Sequence, residues 1–370
     1  MLNPIKDFNI IKINNKNVWI IWKNCNSKCI GYKCSFLSSG SSNIIYKTNE
    51  YHEFYETSII KISEDINNKK NNISNSKLLK NLVFRFNKIK DDYYDVKADN
   101  SLLLKLQNIT EYVLKPLYYF DNYINSENGI LMDKKLTLLE VINKINYNII
   151  KNIKNIKMIR NIKNISEDLN IKLEKYKSKL ELSILYIIKK IIIISESLFQ
   201  YDFRHGDLKI NNILCEEHTS FTNIENIKIY ITDFGHSGII IKEEIFDVLA
   251  QTSIFQEYIL RNKKYDDITF FIIHFYACTS YFFKNNHEIY DEILKNIIIR
   301  LYDNKYILDK YQLKTKDPWA LYYNNIKFLE NNENYNENIK IYNFKYAIKD
   351  DYKEIIENRI NEIKSYLNIK

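Results

Sequence analysis

Glycine and proline are scarce, with six and three in 370 residues, against average usage of roughly 7% and 5%. That excludes collagen-like and Gly/Pro-rich linker architectures, and it makes the position of each glycine informative. Long apolar runs are also lacking. Leu182–Ile194 is broken by Lys189 and Lys190, and Ile268–Phe283 carries His274 and several hydroxyls. Neither reaches the ~18–20 uninterrupted apolar residues of a spanning helix, so a soluble protein with no transmembrane segment is expected. Met1–Ile13 is charged and has no signal-peptide core. Cysteines number five, an odd count scattered over Cys25, Cys29, Cys34, Cys215 and Cys278, which predicts a reducing, intracellular compartment. The first three form C-x3-C-x4-C, but no fourth ligand follows at metal spacing, so free thiols beside a strand are expected.

What is present is ordinary for a folded chain. Hydrophobic residues make up 45% and charged residues 27%, which excludes wholesale disorder and allows one large or two modest domains. The net charge of +8 permits an anionic ligand; no specific nucleic-acid binding is expected from it. Ile, Asn, Lys and Tyr dominate in a pattern typical of an A/T-rich genome.

The first third reads as strands and turns, with β-rich runs at Val18–Trp22, Asn43–Lys47, Ser58–Ile62, Leu82–Phe86 and Tyr112–Phe120. Asn67–Asn72 between them is a low-complexity loop. Asp99–Leu106 places Leu102, Leu103 and Leu106 on one helical face, and a strand pair follows that ends near Met132. Beyond Asp133 the periodicities become helical. Isoleucine recurs every third position from Ile150 to Ile165, interleaved with Lys151, Lys154, Lys157, Arg160 and Lys163. A period of three drifts around a 3.6-residue helix and makes a poor single stripe. A solvated basic face is the plain expectation, and a docking surface for something anionic the alternative. The predicted organisation is α+β: a small antiparallel β-rich lobe over residues 1–133 and a larger, mainly helical lobe over 134–370, with a basic Ile/Asn/Lys-rich insertion at about 146–172.

The sharpest segment is His205-Gly-Asp-Leu-Lys-Ile-Asn-Asn212, followed by Thr232-Asp-Phe-Gly235. Phosphoryl transfer needs a carboxylate to accept the hydroxyl proton and an Asp/Asn pair to hold hard cations on the phosphates. Asp207, Asn212 and Asp233 supply that set, and Lys209 places positive charge where negative charge must be stabilised.

These two motifs, in this order, resemble those of the protein kinases. The resemblance covers about residues 35–300 and implies a bilobal kinase-like fold binding Mg²⁺ and ATP. It puts Asp207 in the base position, with Asn212 and Asp233 on the metal. Leu37–Ile45 can be laid on the family's Gly-rich loop, retaining Gly40 but carrying Ser38 and Asn43 at the outer glycine positions. The conserved lysine position falls on Lys61, with Arg85 as the rival, and its acidic partner falls on Asp99, one methylene shorter than the usual Glu. Met132 and Asp133 stand at the gatekeeper and hinge. Asp267, in Tyr265-Asp-Asp-Ile-Thr-Phe-Phe271, matches the aspartate that anchors the catalytic loop's backbone. An A-P-E triplet is absent, and Gly206 replaces the usual Arg. That combination is similar to the divergent serine/threonine kinases of poxviruses and other large cytoplasmic DNA viruses, which implies the host cytoplasm or the virion as its location.

The expected activity is protein serine/threonine phosphorylation, because Lys209 is usual in protein kinases. Two alternatives stand beside it: a small-molecule phosphotransferase of the aminoglycoside or choline kinase type, where His-Gly-Asp is common, and a pseudokinase scaffold, which the eroded Gly-rich loop would allow. Asp317-Pro-Trp-Ala320 predicts a helix start with no assigned role.

Overall fold

The computed structural model describes residues 3–23, 28–39, 43–54, 58–60, 62, 66, 76–78, 82–87, 93–162, 167–201, 203–216, 220–234, 237–241, 244–246, 267–302 and 348–369. The chain is α+β and forms two compact units. One comprises Met1–Lys135 with the short segment Thr232–His236; the other contains Leu136–Ile231, Ser237–Phe246 and the later helices.

The first unit is a curled antiparallel sheet. Its strands are β1 (Phe8–Asn14), β2 (Asn17–Lys23), β3 (Cys29–Ser39), β4 (Asn43–Glu53), β5 (Ser76–Leu78), β6 (Leu82–Asn87), β7 (Tyr118–Asn122) and β8 (Glu127–Asp133). They lie in the order β1-β2-β3-β4-β6-β8-β7, with β5 beside β4. Helix α1 (Tyr93–Leu106) leaves β6 and returns the chain to β7. Its Leu102, Leu103 and Leu106 are buried, as the three-four spacing predicts.

Period-two alternation splits β2 between two cores. Val18, Ile20 and Trp22 pack on one face with Phe84, Phe86 and Phe120, while Trp19 and Ile21 pack on the other with Phe54, Ile59 and Ile62. Cys29 and Cys34, five apart on β3, fall on opposite faces and are free, buried thiols. Burial pushes the Cys34 thiol up. Two side chains on opposite faces of one strand cannot share a metal, so the C-x3-C-x4-C zinc alternative is excluded for this pair; Cys25 lies outside the described residues. Gly129 on β8 faces Phe86 on β6. A Cβ there would sit 2.7 Å from the Arg85 carbonyl oxygen and run into the Phe86 ring, so this glycine is required by close approach.

Two expected strands are corrected: of Tyr112–Phe120 only Tyr118–Phe120 is strand, as the start of β7. Ser58–Ile62 is not extended: Ile59, Ile60 and Ile62 are helical, and the Ile62 amide donates to the Ser58 carbonyl at 3.1 Å. A short β-branched run cannot be told from a buried helical turn by pattern alone.

The second unit is built on α3 (Glu167–Phe199), whose stretch from Leu180 to Ile188 is buried throughout. Around it lie α2 (Leu138–Ile162), α4 (Asp267–Ala277), α5 (Thr279–Phe283), α6 (His287–Leu301) and α7 (Tyr352–Leu367). Every residue of α4 is buried, which suits a helix apolar on all sides. Two small sheets complete the unit. In one, β10 (Phe203–Arg204) pairs with β13 (Gly238–Ile241), which pairs with β14 (Glu244–Phe246). In the other, β11 (Ile213–Cys215) lies between β9 (Leu136–Thr137) and β12 (Ile229–Ile231).

Candidate functional site

The loop between β10 and β11 is held from both ends by sheet pairing and from below by its own apolar residues. Leu208 and Ile210 are buried, so the polar residues between and after them are fixed in alternation. Residues Ile210–Asn212 form a single 3₁₀ turn. The loop backbone is clamped by the first residue of α4: Asp267 Oδ2 accepts the His205 amide at 2.9 Å, and Oδ1 accepts the Gly206 amide at 3.1 Å. This is the anchoring that the sequence assigns to Asp267. A second tie comes from Ser237, whose hydroxyl donates to the His205 carbonyl at 2.8 Å. Gly206 has φ of 74°, a left-handed conformation that glycine adopts without strain, so its place in the loop has a backbone cause.

Asp207 stands at the centre of this loop and is only 2% exposed. Its amide donates to His205 Nδ1 at 3.3 Å. Its two carboxylate oxygens are in different circumstances. Oδ2 accepts from Lys209 Nζ at 2.5 Å and from Asn212 Nδ2 at 3.1 Å. The same Asn212 amide donates to the Asp207 carbonyl at 2.9 Å, fixing the side chain to its own backbone. Oδ1 is buried and has no hydrogen-bond partner among the described residues. A buried carboxylate oxygen without a donor is costly, and it stays available to accept a proton or a hydroxyl group. Asp207, Lys209 and Asn212 are thus brought together in one hydrogen-bonded group.

The remaining predicted residues lie in the first unit. Asp233 follows β12 in the Thr232–His236 segment with φ of 65°, in the left-handed region that Asp tolerates better than most side chains. It is half-buried, and Phe234 beside it is fully buried. Ser38 is exposed at the end of β3 opposite Ile45, and Asn43 opens β4 opposite Asn87. The hairpin expected around Gly40 is therefore formed by its two strands, with Gly40 itself outside the described residues. Met132 is buried opposite Val83 at the end of β8, and Asp133 is exposed opposite Leu82. Asp99 lies on α1, its side chain outside the description. Lys61 is outside the described residues. The rival, Arg85, is buried on β6, flanked by Ile45 of β4 and Ile130 of β8.

Sequence reasoning missed two residues of the loop's surroundings. Ser237 carries no motif. His274 shows only as a polar interruption of an apolar helix, yet the Lys209 charge acts on it. Burial first, and Lys209 second, push its imidazole down to about 3, so the ring is neutral. Its Nε2 lies 3.5 Å from Cys278 Sγ, and Phe270 stacks on its plane.

Among the described residues, no three His, Cys, Asp or Glu side chains gather into a metal cluster, and no helix is long and apolar enough to cross a membrane. No protein-family model and no curated protein matches the chain.

Proposed function

We propose that this protein is a phosphotransferase of the protein-kinase kind, with a bilobal kinase-like fold, moving the γ-phosphoryl group of Mg·ATP to serine or threonine hydroxyls of proteins. The observation that carries the reading is the division within Asp207: Oδ2 held by Lys209 and Asn212, Oδ1 buried and unpartnered, on a loop clamped by Asp267. A general base needs such an oxygen, oriented and not already committed.

In the proposed reaction, the acceptor hydroxyl presents its proton to Asp207 Oδ1. The hydroxyl oxygen bonds to the γ-phosphorus, the bond to the ADP oxygen breaks, and the proton passes to the carboxylate. Lys209 orients Asp207 and places positive charge beside the transferring group. Asn212 and Asp233 would hold the metal. Their oxygens suit a hard cation, and a set of so few protein ligands suits Mg²⁺, which keeps waters and phosphate oxygens in its shell. When bound, the ion neutralises charge on the phosphates.

In kinases the conserved basic residue lies on the strand that precedes the helix carrying its acidic partner. Here β6 precedes α1, and its basic residue is Arg85. We therefore assign the phosphate-facing role to Arg85 rather than Lys61, with Asp99 on α1 as the candidate partner. Ser38, Gly40 and Asn43 would cover the nucleotide phosphates, and Met132 with Asp133 would border the base.

A second reading, transfer to a small alcohol or aminoglycoside, draws on Gly206 in the His-Gly-Asp sequence. Incubation with γ-labelled ATP, Mg²⁺, acidic and basic proteins, and an aminoglycoside separates the two. Label on protein serine and threonine is expected, and it should vanish with Asp207→Asn. Label on the small alcohol alone would install the second reading, and no transfer to either would overturn both.

A further inference from the structure

The basic helix α2 is the sequence feature that the catalytic reading leaves unused. Its outer side borders a cavity of about 410 Å³ within the second unit, closed opposite by the α5–α6 junction through Asn286 and Tyr290. That volume falls within the range of ligand sites, roughly 300–1,000 Å³. Along α2, the lining residues Tyr147, Lys151, Lys154 and Met158 follow the i, i+4, i+7, i+11 spacing of a single helical face. At 1.5 Å per residue this stripe runs for about 16 Å, the length of some five extended residues.

Two observations define what would fit. Lys151 and Lys154 make no ion pair with any described carboxylate, and no described Asp or Glu lines the cavity, so the site carries uncompensated positive charge. Tyr147 and Met158, at the two ends, are 65% and 64% exposed, so their apolar surface is open to a ligand. Asn146, at the cavity's base, is 1% exposed and accepts from the Ser183 hydroxyl at 3.0 Å. Tyr290, across the cavity, is a hydrogen-bonding neighbour of this side chain.

We propose that this cavity is a docking site for an acidic peptide segment, with apolar side chains on Tyr147 and Met158 and carboxylates on Lys151 and Lys154. The elongated, two-ended stripe favours an extended peptide over a compact phosphate, and the apolar ends favour it over a nucleic-acid backbone. Only the identification of the peptide's owner as a phosphorylation substrate rests on the proposed activity; the binding itself does not.

The test uses the full chain and a fluorescein-labelled octapeptide of Asp and Glu with a Leu at each end, followed by anisotropy. Binding is expected, weakened by added salt. Lys151→Glu/Lys154→Glu, a pair of surface changes that leaves the core intact, should weaken it at least about tenfold. Met158→Asp should weaken it separately. Unchanged binding in these variants, or no binding to the native chain, overturns the inference. So does a mixed-sequence oligonucleotide or inorganic phosphate that displaces the peptide at lower concentration than unlabelled peptide. A protein substrate bearing the acidic segment should show a raised KM and an unchanged kcat with the double variant. Peptide binding without any phosphoryl transfer would keep the docking site and refute the activity, whereas transfer without peptide binding would do the reverse.

Discussion

Asp207 concentrates the account at the scale of single residues, because one of its oxygens is occupied and the other is not. Replacing it with Asn keeps the size and removes the base, so transfer should fall by about 10²–10⁴-fold while the loop stays folded. Rates and a thermal melt on the same sample check this. Asp267 works one step back. Asp267→Ala removes the carboxylate that accepts from the His205 and Gly206 amides and should cost about 1–3 kcal/mol in denaturant unfolding, with Asn losing less. His274 predicts a pH effect. Its folded-state value, about 3, is below the roughly 6.5 of an unfolded histidine, so the unfolded chain binds the proton first. Its contribution is fully present above about pH 6.5 and is lost as pH falls toward 3, by roughly 1.4 kcal/mol per unit. Unfolding measured from pH 7 to 4 should therefore show a shallower slope for His274→Gln than for the native chain. An identical slope would refute it. The grouping of Asp207, Lys209 and Asn212 was legible in the sequence because it lies within one short, fixed spacing, and the anchoring place of Asp267 was legible only through the resemblance. His274 and Ser237 were not, since their roles depend on which elements pack beside the loop.

At the scale of elements, α2 shows how a sequence period becomes a packing pattern. Steps of three residues rotate the stripe back by about 60° each on a 3.6-residue helix. Ile150, Ile153 and Ile156 are buried, and by Ile159 the row has turned outward to 43% exposure. The poor single stripe read from the sequence was a correct inference, and the face it vacates is the one that carries the cavity. Strands β1 and β3 were harder to read. Phe8–Asn14 lacks a clean alternation, and Cys29–Ser39 is interrupted by Gly31, Lys33 and Ser35, so only their neighbours in the sheet define them. Helix α7 is secured by charge as well as by Ile356, Ile360 and Ile363. Arg359 Nε and Nη2 donate to the two oxygens of buried Glu181 on α3 at 2.7 and 2.8 Å, and Lys189 pairs with Glu357 at 2.5 Å. Tyr352 donates to Glu196 of the same helix. Arg359→Ala strands the Glu181 carboxylate and should destabilise the protein by about 3 kcal/mol. Glu181→Leu/Arg359→Leu should recover much of that loss in the same denaturant titration, because no charge is left buried.

At the scale of the whole molecule, glycines are few, and Gly129 and Gly206 each hold a position that a side chain would disturb. Gly129 allows β8 to lie against Phe86, and Gly129→Ala should cost about 1–3 kcal/mol by forcing that ring aside. The α+β division into a sheet-rich and a helix-rich unit was legible from where the hydrophobic period changes, near Asp133. The position of Arg85 was not, because assigning a strand its place in a sheet requires pairing partners far along the chain. The central proposal is that the His205–Asn212 loop and Asp233 divide the labour of phosphoryl transfer. It is tested most directly by measuring Mg²⁺-dependent ATP affinity and phosphate transfer together for the native chain, Asp207→Ala and Asp233→Ala. The expected result is that Asp207→Ala abolishes transfer with ATP affinity nearly unchanged, while Asp233→Ala lowers the affinity itself. Equal losses of affinity in both variants, or transfer that survives the loss of Asp207, would contradict the account.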